Sequence, residues 1–183
     1  MATIFIIHGA YGSPEENWFP WLKKELEAEG HTVFTPTFPT PEGQNLESWT
    51  AIISQYKQDI DKNTIFIGHS VAVAFILQLL ETTPVKAAVF VSGWTGPLGN
   101  PTFDTINKTI TNRTFDFKAI QKNCSTFLIY HSDNDPYVSL ELGKELAEKL
   151  EVKLTLISGA GHFNKDSDYT TFERLLTDLK EIL

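Results

Sequence analysis

The sequence predicts an α/β fold: a minimal three-layer α/β/α sandwich on a mostly parallel, doubly wound sheet of about six strands. Three observations predict it. Short apolar runs alternate with stretches of helical period along the chain. One helical stretch, Val71 to Leu80, is apolar nearly all round, as a helix laid centrally on a sheet must be. No repeat, low-complexity tract or interdomain linker breaks the alternation, so the 183 residues are read as one domain, 1–183, long enough to bury a sizeable core.

The elements follow in order. Strands are expected at Thr3–Ile7, Thr32–Pro36, Thr64–Ile67, Ala87–Ser92, Thr126–Tyr130 and Lys153–Ile157, each rich in apolar and β-branched residues. Between the first two, Glu16–Glu29 carries Phe19, Leu22 and Leu26 on one helical face. Leu46–Ile60 does the same with Trp49, Ile52, Ile53 and Tyr56, and Leu140–Leu150 and Tyr169–Leu183 complete the helices. The segment Gly93–Gln121 is different: it is rich in Thr and Asn, contains Gly and Pro, and has weak periodicity. It is expected to be a long connection with short helices at most, either shaping a pocket or only crossing the surface. In open sheets of this kind, sites form beyond the carboxyl ends of the strands.

Composition narrows the partners. A net charge of −8 argues against nucleic acid and anionic membrane surfaces and leaves small molecules and proteins open. The lone Cys124 allows no intrachain disulfide. Met1-Ala2-Thr3 runs straight into a strand, without the basic stretch and apolar run of a signal peptide, and no apolar stretch could span a bilayer. A cytoplasmic setting is expected. The Asn-X-Ser/Thr triplets at Asn107, Asn112 and Asn123 are then chance matches.

The chemistry centres on Ser70. The strand ending at Ile67 runs through Gly68-His69-Ser70-Val71-Ala72 directly into the apolar helix. A serine at a sharp strand-to-helix turn between small residues has the form of a nucleophile elbow. Such a hydroxyl needs a base. Among five histidines, His162 in Gly159-Ala160-Gly161-His162-Phe163 is the best placed, in a flexible loop after the last strand. His131 is a weaker rival, His8 is read as shaping a backbone turn, and His31 as solvent-exposed. His69 lies too close in sequence to serve Ser70 as base and is kept as a pocket-lining candidate. The orienting acid is sought in Ser132-Asp133-Asn134-Asp135-Pro136. Asp135 is favoured, because a turn stiffened by Pro136 would aim it at the His162 loop, and Asp133 is read as bonding local N–H groups. Oxyanion donors are expected from the backbone of Val71 and of Ala10, with Tyr11 as the close alternative. Trp18 and Trp94 are candidates for the pocket wall, although such aromatics also serve simply as core. No phosphate-binding, zinc-spaced or dinucleotide motif is present.

These segments resemble the α/β-hydrolase superfamily, and within it the small retinoblastoma-binding-protein-9-like, or YdeN-like, serine hydrolases. The likeness runs through His8-Gly9, Asn17 to Leu22, Pro36 to Pro41, Gly68-His69-Ser70, Ser132 to Val138, and Gly161 to Asn164 with Tyr169 and Phe172. It implies a Ser70–Asp135–His162 triad, no metal, no dissociable cofactor, and hydrolysis of small esters or related acyl compounds. One residue departs from the Gly-X-Ser-X-Gly pattern: Ala72 stands where a glycine is expected. That departure motivates a rival reading, a catalytically weak or inactive protein-binding module on the same scaffold.

Overall fold

A computed structural model describes residues 1–183. Six strands form one fully parallel sheet: β1 (Thr3–Ile7), β2 (Thr32–Phe34), β3 (Ile65–His69), β4 (Ala87–Val91), β5 (Phe127–His131) and β6 (Leu154–Leu156). Their spatial order is β2-β1-β3-β4-β5-β6. Seven helices connect and follow them: α1 (Phe19–Ala28), α2 (Leu46–Ser54), α3 (Ala72–Leu80), α4 (Pro101–Thr111), α5 (Phe117–Asn123), α6 (Leu140–Lys149) and α7 (Glu173–Lys180).

The two-residue period of the strands divides the core between the two faces of the sheet. Phe5 and Ile7 of β1, Phe66 of β3, and Ala88 and Phe90 of β4 face a core with Trp49 of α2, Ala72–Leu77 and Leu80 of α3, Ile110 of α4, Ile120 of α5 and Leu146 of α6. Ile4 and Ile6, Ile65 and Ile67, and Val89 and Val91 face the other, with Phe19, Leu22 and Leu26 of α1 and Leu175 and Leu179 of α7. The sheet is therefore covered on both sides, which is why its central strands lack polar alternation. No helix is long and apolar enough to cross a membrane.

The order of strands fixes where a ligand can enter. From β1 the chain steps outward to β2, then returns across to β3 on the other side. The connections leaving β1 and β3 therefore part in opposite directions, opening a crevice at their carboxyl ends. Ile7 pairs with Gly68 there, so the residues that follow, His8–Gly12 and Ser70, share that edge.

Several elements are shorter than the periodicity predicts. The first helix starts at Phe19, not Glu16, because Asn17 takes a left-handed φ of 55°. The second ends at Ser54 and the last spans only Glu173–Lys180. The larger difference lies in Gly93–Gln121, which holds the regular helix α4 and most of α5. Asn100 caps α4 by accepting from Thr102 and Phe103 N–H, Pro101 occupies its first turn, and Asp116 caps α5 through Ala119 N–H. Its periodicity is weak because two of the three buried residues of α4, Asn107 and Thr111, are polar.

Candidate active site

Ser70 sits between β3 and α3 with φ of 60°, in the left-handed region. Holding a serine there costs about 1–3 kcal/mol, which the surrounding packing must overcome. The turn is fastened by Ser70 N–H to the Val91 carbonyl at 2.9 Å and by Val73 N–H to the Ser70 carbonyl at 3.1 Å. Gly68 lets the helix lie close to the strand: a Cβ there would fall 2.5 Å from Ile76 Cδ1 and 3.2 Å from the Val73 nitrogen. Ala72 is fully buried as the first residue of α3, and the turn forms with its methyl in place.

The loop after β1 closes on Ser70 from the other side. A Cβ at Gly9 would stand 2.8 Å from Ser70 Cβ, so only glycine permits this approach. The loop turns at Gly9–Gly12, with Gly12 N–H reaching the Gly9 carbonyl at 3.3 Å and Tyr11 at φ of 58°. The three expected oxyanion donors separate here. Ala10 and Val71 N–H make no hydrogen bond within the chain. Tyr11 N–H is already given to Thr40 Oγ1 at 2.7 Å, so Tyr11 is corrected from a donor to a strut of the loop.

Asp135 and His162 meet directly, His162 Nδ1 to Asp135 Oδ2 at 2.8 Å. The other carboxylate oxygen accepts from Tyr137 N–H at 2.9 Å and Val138 N–H at 3.0 Å. Burial alone would raise the Asp135 pKa. The His162 hydrogen bond and charge, with the two backbone N–H groups, outweigh it and hold the carboxyl below its usual range. An ionised carboxylate only accepts, so Nδ1 carries a proton, and in the neutral ring this tautomer leaves Nε2 as the lone pair. His162 and Ser70 border the same cavity, without a hydrogen bond between Ser70 Oγ and the ring.

The His162 loop is tethered, not flexible. His69 Nε2 donates to the His162 carbonyl at 2.8 Å, Trp18 Nε1 donates to the Phe163 carbonyl at 3.0 Å, and Gly161 N–H reaches Asn134 Oδ1 at 2.8 Å. Asp133 does not bond locally as expected. Its carboxylate crosses to Ser158 Oγ at 2.6 Å and Gly159 N–H at 2.8 Å, joining the acid loop to the base loop. The expectation that Trp18 walls the pocket is likewise corrected. Its ring is fully buried against Phe19 and Phe172, away from the cavity. Trp94 and His69 do border the cavity.

The remaining histidines are structural in geometry. His8 Nε2 accepts from Phe38 N–H at 3.0 Å, so its Nδ1 is the protonated nitrogen and donates to the Gly9 carbonyl at 2.9 Å. His131 gives Nε2–H to the Val138 carbonyl at 3.0 Å, and its ring lies where a Cβ on Gly143 would be 2.5 Å from Nδ1. His31 is half-buried and accepts from Ala2 N–H. Burial lowers the pKa of His8, His69 and His131, that of His69 to about 3, with His162 nearby adding to the depression. In the unfolded chain each returns to about 6.5. The folded state thus prefers them neutral. That stabilisation is complete above about pH 6.5 and is lost as pH falls toward the folded values. Denaturant titrations will show stability dropping between pH 6.5 and 4. His69→Gln, which keeps a donor for the His162 carbonyl, will remove about one proton from the uptake on unfolding near pH 5.

The cavity has a volume of about 380 Å³. It is lined by Ser70 and the Gly9–Gly12 loop and by the apolar side chains of Trp94, Leu98 and Phe103. Sequence reasoning missed several polar residues on its border, among them Glu16, Asn17, Lys165, Asp166 and Asn107. Asn107 of α4 is 1% exposed, its Oδ1 is engaged by Gln44, and its Nδ2 has no partner. A buried unpaired donor costs about 1–3 kcal/mol. The signals available were the Asn100-Pro101 helix start and the seven-residue step from it to Asn107.

The doubly wound parallel sheet, with its strained Ser70 turn at the strand edge, defines the class: an α/β hydrolase. Residues 4–181 match the family described as Serine hydrolase, and the chain belongs to that family. YdeN of Bacillus subtilis (strain 168) is 30% identical over 172 residues, covering 92% of this chain and 89% of that protein. The serine hydrolase RBBP9 of Rattus norvegicus is 27% identical over 167 residues, covering 91% and 86%. The crystal structure of the ydeN gene product superposes with a TM-score of 0.92 at 28% identity, over 100% of this chain and 98% of that one.

Proposed function

We propose that this hydrolase cleaves small carboxylic esters or related acyl compounds through an acyl-enzyme, with Ser70, His162 and Asp135 as its triad. His162 Nε2 takes the Ser70 proton as Oγ attacks the carbonyl carbon. Ala10 and Val71 N–H groups receive the developing oxyanion, and Asp135 stabilises the imidazolium. His162 then protonates the leaving oxygen as the tetrahedral intermediate collapses. In the second half it activates water, which attacks the acyl carbon and restores Ser70. The acyl substrate is a small molecule, and the buried, unbridged Cys124 suits a reducing, cytoplasmic setting.

The observation that carries the reading is the Asp135–His162 hydrogen bond at 2.8 Å, which holds the imidazole at the border of the cavity that Ser70 also lines. Two unpaired backbone donors, on Ala10 and Val71, flank the same turn. The test is hydrolysis of short-chain p-nitrophenyl esters by the wild type and by His162→Ala. Turnover by the wild type, lost by about 10⁴-fold or more in the variant, supports the reading. A flat background rate with every ester from both proteins would favour the non-catalytic binding module.

A further inference from the structure

We infer that Tyr11, Phe103 and Tyr137 form a recognition row for an aromatic ring in the alcohol portion of the substrate. The preferred substrates are then esters of aryl-bearing alcohols. This rests on the hydrolase reading of the same cavity and names the group that the cavity selects.

The three side chains come from separate parts of the chain: the loop after β1, helix α4, and the turn after β5. All three line the cavity that Ser70 and His162 border. Tyr11 lies 6.0 Å from Phe103 at 88°, and Phe103 lies 5.7 Å from Tyr137 at 69°. Tyr137 in turn lies 5.0 Å from the His162 imidazole at 77°. Each pair meets edge to face, so the row runs from the Gly9–Gly12 loop to the proposed base.

Core packing does not account for this row. Tyr11 is 52% exposed, Tyr137 is 45% exposed and Phe103 is half-buried, whereas Trp49, Phe66 and Phe75 are fully buried. Rings left in water forgo the burial that aromatic side chains otherwise supply, and such patches mark contact sites. Tyr11 also holds a φ of 58°, a left-handed conformation unfavourable for a bulky residue, with its N–H fastened to Thr40 Oγ1 at 2.7 Å. Strain and exposure thus coincide on one member of the row. A further aromatic ring can join the row in the same edge-to-face geometry; a saturated ring of equal size has no quadrupole and gains only from burial.

The side of the substrate follows from the mechanism. His162 Nε2 protonates the leaving oxygen, so the first atoms of the alcohol lie beside the imidazole, where Tyr137 ends the row. A ring two or three carbons from that oxygen reaches Tyr137 and Phe103, while the acyl carbon stays bonded to Ser70.

The test uses two pairs of acetates, followed by acid release: 2-phenylethyl against 2-cyclohexylethyl, and 3-phenylpropyl against 3-cyclohexylpropyl. The saturated member is the more apolar, so hydrophobicity alone favours it. The wild type will favour the phenyl member of at least one pair by about fivefold in kcat/KM, mainly through KM. Tyr137→Leu and Phe103→Leu will each bring that ratio to about one or below. A purely structural role would lower both members together and leave the ratio intact. No phenyl preference in the wild type, or one that survives both substitutions, overturns the inference. So does a phenyl preference confined to the acyl side, read with p-nitrophenyl 3-phenylpropanoate against 3-cyclohexylpropanoate. If no member of either acetate pair is turned over, the row is judged by binding. NMR signals of ring-labelled Tyr137 must then shift with 2-phenylethanol and not with 2-cyclohexylethanol; a shift with neither, or an equal shift with both, overturns the claim. The hydrolase reading itself fails only if p-nitrophenyl acetate is left intact as well.

Discussion

Ser70→Ala will lower kcat for p-nitrophenyl butyrate by about 10⁶-fold and leave the protein folded. The size follows from the mechanism: without Oγ no acyl-enzyme forms, and only the donors around the vacated position can still assist water. The intact fold follows from the geometry. Ser70 Oγ makes no hydrogen bond within the chain, so its removal leaves no partner unsatisfied. The turn is held by backbone groups, Ser70 N–H to the Val91 carbonyl and Val73 N–H to the Ser70 carbonyl, and alanine keeps both. A small change in Tm with loss of turnover is therefore the expected pairing. A loss below about tenfold would remove Ser70 from the chemistry.

Asp135→Asn will cost about 10⁴-fold in kcat with little change in structure. The direction of the new amide is already decided. Oδ1 accepts from Tyr137 and Val138 N–H, so an asparagine must place its oxygen there. Its NH2 then faces His162 Nδ1, where the native carboxylate accepts a hydrogen bond. The imidazole must answer with a lone pair at Nδ1 and so carry its proton on Nε2. In that tautomer it cannot take the Ser70 proton. Steady-state kinetics will show the loss mainly in kcat, with KM nearly unchanged, because the amide never touches substrate. A variant that retains activity within tenfold would show that Asp135 serves only its own turn.

Much of this was legible in the chain, for physical reasons that differ by element. The strands were readable because a sheet buried on both faces needs uninterrupted apolar runs, as in Ile65–Ile67 and Ala87–Val91. The meeting of Asp135 with His162 was readable from two loops that follow adjacent strands, β5 and β6. The Gly93–Gln121 segment was not, because α4 buries polar Asn107 and Thr111 on its inner face and so lacks an apolar stripe. Trp18 and Tyr11 were assigned to the right neighbourhood but not the right task. Where an indole N–H or a backbone N–H points depends on partners 145 and 29 residues away, Phe163 and Thr40, which no local pattern encodes. Asp133 illustrates the same limit: an aspartate in a turn reads as local, whereas this one spans 25 residues to Ser158.

The central claim is that Ser70 is a nucleophile activated by His162. Its most direct test is intact-protein and peptide mass spectrometry after exposure to a fluorophosphonate. A nucleophilic Ser70 activated by His162 will give one covalent adduct, located on Ser70, lost in Ser70→Ala and formed far more slowly in His162→Ala. No adduct on the wild type, an adduct on another residue, or undiminished labelling of Ser70→Ala would contradict it.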